Sequence, residues 1–83
     1  MQENSTFKTA TMWSQPNCAW CDRAEKLLVN RGYVVTIKKI GANTTKEEFI
    51  AANPHARTVP QIYIGDTLIG GFEQVQGYLN DNP

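Results

Sequence analysis

The chain contains two cysteines, and both belong to one segment, Cys18-Ala19-Trp20-Cys21. Ser14-Gln15-Pro16-Asn17 before it is turn chemistry, and Asn17 or Cys18 can cap a helix. After it, Ala24, Leu27 and Leu28 recur at helical spacing, so the pair falls at the start of a helix. Cysteines at i and i+3 face the same way on a helical turn. The first meets the unpaired N–H groups and positive end of the dipole, which favour an anion. A thiolate held there has a depressed pKa, and the thiolate is the reactive species. The second thiol lies one turn in, more buried and placed to attack a mixed disulfide, which is the geometry of thiol–disulfide exchange.

The same residues argue against a structural role for the pair. A Cys18–Cys21 bridge closes a tiny loop, constrains little of the unfolded chain, and is a poor structural staple. Single-chain structural zinc needs four ligands, and besides the two cysteines the chain offers one histidine, His55. A metal or cluster shared between two chains stays open on this count.

Phe7 to Trp13, rich in Thr, Phe and Trp, predicts a strand with Ala10 and Met12 on one side. The helix that follows carries Arg31 in its last turn and stops at Gly32. Tyr33 to Ile40, dense in Val and Ile, predicts a second strand. Thr45-Lys46-Glu47-Glu48 fits a capping box, with Phe49-Ile50-Ala51-Ala52 expected as the buried stripe of a short helix ending at Asn53-Pro54. Gln61 to Ile64 and Thr67 to Ile69 are short strands joined by Gly65-Asp66, an antiparallel hairpin signal. After Gly70-Gly71, the residues Phe72, Val75 and Leu79 predict a last amphipathic helix. The order βαβαββα implies an α/β fold, a mixed four-stranded sheet flanked by three helices, with a parallel crossover in its first unit.

With 83 residues, 41% hydrophobic and 19% charged, the chain suits one globular domain. Residues 1–6 read as a loose terminus and 7–83 as that domain. No apolar run exceeds four residues, so no membrane span is expected. The first residues are polar and do not resemble a secretory signal. Eight basic and eight acidic residues cancel, and Lys38-Lys39 is the largest basic cluster, which argues against nucleic acid as a partner.

Three separated motifs in order make the chain resemble the glutaredoxins from Lys8 to about Leu79. These are Cys18-Ala19-Trp20-Cys21 after the first strand, Thr58-Val59-Pro60 before the third, and Gly70-Gly71-Phe72-Glu73-Gln74 opening the last helix. The resemblance implies a thioredoxin-like fold and a glutathione-dependent disulfide oxidoreductase with Cys18 and Cys21 as catalytic residues. It implies that Pro60 is cis and that Val59 offers main-chain hydrogen bonds to the glutathione cysteine. A strand-like tripeptide is naturally docked by such pairing. It further implies that Gly70-Gly71 lets the backbone approach the ligand, and that Glu73 and Gln74 hold the γ-glutamyl end. Phe72 belongs to the same segment. Arg57 suits the glycine carboxylate, because guanidinium pairs well with carboxylates. Trp20 stands where Tyr or Phe is usual, either shielding the sulfur and packing on substrate or filling core. His55 reads as a surface residue.

Two departures from the family pattern matter. Ala19 stands where many members have Pro, and Gln15 where many have Lys, removing a cation near the nucleophile. Some members lacking that Pro hold an iron–sulfur cluster between two chains, in which case Cys18 would be a metal ligand; otherwise no metal is expected. The expected partners are glutathione and disulfide-containing proteins, ribonucleotide reductase among them by resemblance, with the chain monomeric and cytoplasmic. A redoxin of the same fold recharged by thioredoxin reductase is the near alternative.

Overall fold

The computed structural model describes residues 8–82. The loose terminus expected over 1–6, and Phe7 at the expected start of the first strand, lie outside them. The elements follow the order implied by the sequence: β1 (Lys8–Ser14), α1 (Ala19–Asn30), β2 (Tyr33–Lys39), α2 (Lys46–Ala52), β3 (Gln61–Ile64), β4 (Thr67–Gly70) and α3 (Phe72–Asp81). The strands form one mixed sheet in the order β2-β1-β3-β4. β1 runs parallel to β2 and antiparallel to β3, and β3 pairs antiparallel with β4. Strand ends differ slightly from the sequence pattern. β1 continues through Ser14 because that residue still pairs with Lys39, whereas Ile40, whose N–H donates to the Ser14 carbonyl at 2.9 Å, lies past β2 and bridges Thr44. β4 includes Gly70, which pairs with Ile62.

Alternation along the strands sends Ala10, Met12 and Ile62 to one face, where Ala24 and Leu28 of α1 and Val75 and Leu79 of α3 cover them. Each of these side chains is at most 2% exposed. Burying a large aliphatic side chain this fully contributes about 1.5–3 kcal/mol, and this cluster is what fixes both helices on the sheet. α1 ends at Arg31 rather than containing it, and Gly32 takes the left-handed φ of 88° that stops the helix. The Arg31 guanidinium then donates to the Leu79 carbonyl at 3.1 Å, tying the end of α1 to the end of α3.

The opposite face is covered differently. Trp13 meets Phe49 of α2 edge to face at 5.9 Å, and the Lys38 ammonium lies 5.2 Å over the indole. The expectation of a buried Phe49-Ile50-Ala51-Ala52 stripe is corrected here. Phe49 alone of the four is buried; Ile50 is 52% exposed, and Ala51 and Ala52 are exposed too. Successive helical residues are about 100° apart, so four in a row wrap around a helix rather than line one face. The residue that shares the inner face with Phe49 is Asn53, one turn on, and it is completely buried. The capping box is present as expected: Thr45 Oγ1 accepts from the Glu48 N–H at 3.1 Å, and the Thr45 N–H donates to Glu48 Oε1 at 2.9 Å.

Candidate active site

Cys18 occupies the N-cap of α1 with an extended backbone, set up by Asn17 at a left-handed φ of 61°. Its Sγ accepts a hydrogen bond from the Cys21 N–H at 3.1 Å, and its carbonyl accepts from the Asp22 N–H at 3.2 Å. The two cysteines form a disulfide, with Cα atoms 5.2 Å apart. Cys21 is 1% exposed inside the core cluster, while Cys18 is half-buried at its edge. The two sulfurs are therefore unequal. The outer one carries the helix-start donor that stabilises a thiolate, and the inner one has little solvent access.

A groove opens beside the pair. One wall is Trp20, Phe72 and Glu73, and the other is Thr58, Val59 and Pro60. Trp20 is 51% exposed, which rules out core packing: it is a surface aromatic two residues after Cys18. Its ring lies 5.3 Å from that of Phe72, and the Arg23 guanidinium stacks 4.8 Å above it. The Val59–Pro60 peptide bond is cis, as the motif implied. Among the described residues no backbone hydrogen bond takes up the Val59 N–H or carbonyl, while the Thr58 carbonyl accepts from Gln61 Nε2 at 2.9 Å.

Gly70 and Gly71 have a local explanation. Gly70 sits at φ 126°, where L side chains are strained, and a Cβ there would meet Gln74 Cγ at 3.1 Å. A Cβ on Gly71 would meet Gln74 Oε1 at 3.3 Å. The glycines make room for Gln74, whose Oε1 accepts from the Gly71 N–H at 3.0 Å and caps α3. Gln74 thus lines the groove with its carbonyl oxygen already engaged, leaving its amide nitrogen for a ligand. Glu73, beside it in the first turn of α3, is exposed.

Past Thr58 and Val59 the groove continues into a second hollow lined by Gln15, Lys46, Phe49 and Arg57. Gln15 and Arg57 therefore line one hollow. Lys46 joins them there, a residue that motif reading missed. The loss of a cation at position 15 thus leaves two exposed cations at this end, against Glu73 at the other. Arg23 was also missed, although its position three residues after Trp20 on a helix was a usable signal. Lys46 carried no local signal, since only the fold places α2 against the loop before β3. His55 is exposed and lines neither hollow. Among the described residues no three of His, Cys, Asp and Glu converge as a metal-binding group. Nor is any helix there long and apolar enough to cross a membrane.

A cysteine pair at the first turn of the crossover helix, a cis-proline loop opposite it and this sheet order define a thioredoxin-like dithiol protein. The glutaredoxin family model matches residues 10–69. A glutaredoxin of Neisseria meningitidis serogroup A is 39% identical over 68 residues, covering 80% of this chain and 79% of that one. Glutaredoxin 1 of Francisella tularensis, solved with cacodylate, superposes with a TM-score of 0.76 at 20% identity, over 90% of this chain and 95% of that one. A buckwheat glutaredoxin–glutathione complex superposes with a TM-score of 0.74 at 23% identity, over 90% and 71%. The chain belongs to the glutaredoxin family. Family, fold and the Cys18–Cys21 pair together support a thiol–disulfide oxidoreductase.

Proposed function

We propose that the chain uses glutathione to reduce protein disulfides and glutathione mixed disulfides through Cys18 and Cys21. The observation that carries this is the two-ended groove beside Cys18. It has an unpaired main-chain donor and acceptor at Val59, an anion at Glu73, and cations at Lys46 and Arg57. Glutathione has the matching order of groups: an ammonium and carboxylate at its γ-glutamyl end, peptide groups at the middle, and a carboxylate at the glycine end. The buckwheat relative that was solved with glutathione shares this fold.

In the reaction, the Cys18 thiolate attacks one sulfur of the substrate disulfide and expels the other as a thiolate. The Cys21 thiol loses its proton and attacks Cys18 Sγ, releasing the reduced substrate and leaving the Cys18–Cys21 disulfide seen here. One glutathione thiolate then attacks Cys18 Sγ and frees Cys21. A second attacks the glutathione sulfur, giving oxidised glutathione and restoring the Cys18 thiolate. Two glutathione molecules are oxidised for each disulfide reduced. The Cys21 N–H, already directed at Cys18 Sγ, is the donor that stabilises the thiolate in each step. A glutathione mixed disulfide needs only the Cys18 steps. The same chemistry requires a reducing compartment, so we place the protein in the cytoplasm, acting as a monomer on disulfide proteins such as ribonucleotide reductase.

Turnover of a glutathionylated peptide and of a protein disulfide, coupled to glutathione reductase, tests the proposal. Cys18→Ser should abolish both activities. Cys21→Ser should keep the first and lose most of the second. Equal activity of the two variants on the peptide would overturn the roles, and turnover driven by thioredoxin reductase alone would assign the other donor. Visible absorbance after anaerobic reconstitution with iron, sulfide and glutathione would identify a cluster-binding module instead.

A further inference from the structure

Asn53 is the one fully buried polar residue of the α2 region, and each of its four polar atoms has a hydrogen-bond partner. Its side-chain Nδ2 donates to the Phe49 carbonyl at 3.0 Å, and its own N–H donates to the same carbonyl at 2.9 Å. Its carbonyl accepts from the Ala56 N–H at 2.9 Å. Its Oδ1 accepts from the Tyr63 hydroxyl at 2.6 Å. Asn53 ends α2, whereas Tyr63 lies on β3, in register with Thr11 of the central strand. Between them runs the exposed loop that carries Arg57, Thr58 and Val59. The Tyr63 hydroxyl, 2.6 Å from Asn53 Oδ1 and 3.5 Å from the Ala52 carbonyl, therefore ties the end of α2 to the strand that follows this loop. Through Phe49 it also holds the helix that begins with Lys46.

Apolar packing gives α2 little else, since Phe49 is its one buried residue. Hydrogen bonds are directional where apolar contacts are not, so a buried one fixes position and orientation better than it adds stability. We propose that the Asn53–Tyr63 hydrogen bond is the positioning device for the Lys46–Arg57 end of the groove. It sets how tightly glutathione is held and leaves the sulfur chemistry untouched. This rests on the glutathione reading of that groove. Neither residue lines the groove or approaches the cysteines, so both are positioning residues.

The test is Tyr63→Phe, which deletes the hydroxyl and keeps the ring in the sheet. The KM for glutathione should rise about five- to tenfold with kcat changed less than about twofold, the split expected when binding is lost equally from the ground and transition states. The rate at which dithiothreitol reduces the Cys18–Cys21 disulfide should equal wild type, because that small dithiol needs no groove. Amide exchange should accelerate about tenfold at Ala56–Val59 and in α2, and stay unchanged in β1 and α1. An unchanged KM overturns the proposal, as does a fall in kcat and dithiothreitol rate together. If the wild-type protein shows no turnover with glutathione, the proposed function fails. The exchange pattern then decides the positioning role, and unaltered exchange in 54–59 overturns it.

Discussion

The two faces of the sheet hold their helices by different means. On one face Met12 and Ile62 meet Leu28, Val75 and Leu79, all within 1% of complete burial, and two long helices are fixed by shape and area. On the other, Trp13 and Phe49 make one aromatic contact, and Val34, Ile50 and Leu68 remain 56%, 52% and 39% exposed. Polar geometry replaces apolar area there, through the Thr45–Glu48 capping box and the Asn53–Tyr63 bond. The division runs through the site as well. Cys18, Cys21, Trp20, Phe72 and Glu73 stand on helices of the densely packed face. Lys46, Arg57 and Thr58 depend on the lightly packed one. Cys18 and Cys21 thus sit on the side held by apolar area, and the Lys46–Arg57 end of the groove sits on the side held by directional polar links.

The largest test of this contrast is to truncate a residue on the packed face. Leu28→Ala should cost about 2–5 kcal/mol of unfolding free energy, because the rigid surroundings cannot close the cavity. In a domain of 83 residues each kcal/mol lowers Tm by about 4–8 °C, so thermal unfolding reads it directly. Of intermediate size is Thr45→Ala, which removes the cap and should cost about 1 kcal/mol. Its effect on amide exchange should be confined to α2.

The same box has a pH dependence. The Thr45 N–H and the Thr45 and Thr44 side chains hold the Glu48 carboxyl below its ordinary value of 4.5. A carboxylate whose pKa is depressed by folding contributes stability above the unfolded value, and that contribution is lost as pH falls through the folded one. Protection of α2 amides should therefore decline as the pH drops below 4.5 while α1 stays protected, and Glu48→Gln should flatten the decline. A parallel decline in α1 would remove the distinction between the faces. The smallest effect belongs to Ile50→Ala, expected within about 0.5 kcal/mol because that side chain is half exposed. A cost close to that of Leu28→Ala would mean that α2 is packed like the other helices.

What the sequence determined by itself is what local pattern encodes. Cys18 and Cys21 fall at a helix start because a turn precedes them and helical spacing follows. Thr45 and Glu48 cap because their spacing closes two short-range hydrogen bonds. Gly65-Asp66 turns the chain between two strands, and the element order then leaves few topologies open. The motif order also made the groove residues legible as a set, from Gln15 through Arg57, Thr58, Val59 and Pro60 to Glu73 and Gln74. Tertiary structure alone decided which of their neighbours matter. Lys46 reaches the groove because α2 packs beside the loop before β3, and the exposed Trp20 ring finds its aromatic neighbour in Phe72 at the start of the last helix. Asn53 looked like a helix stop, and only the placement of β3 gave its side chain the Tyr63 hydroxyl as partner. Periodicity and capping report interactions within a few residues along the chain. The partner that meets a given side chain across the fold is set by sheet order and register, which no local pattern records.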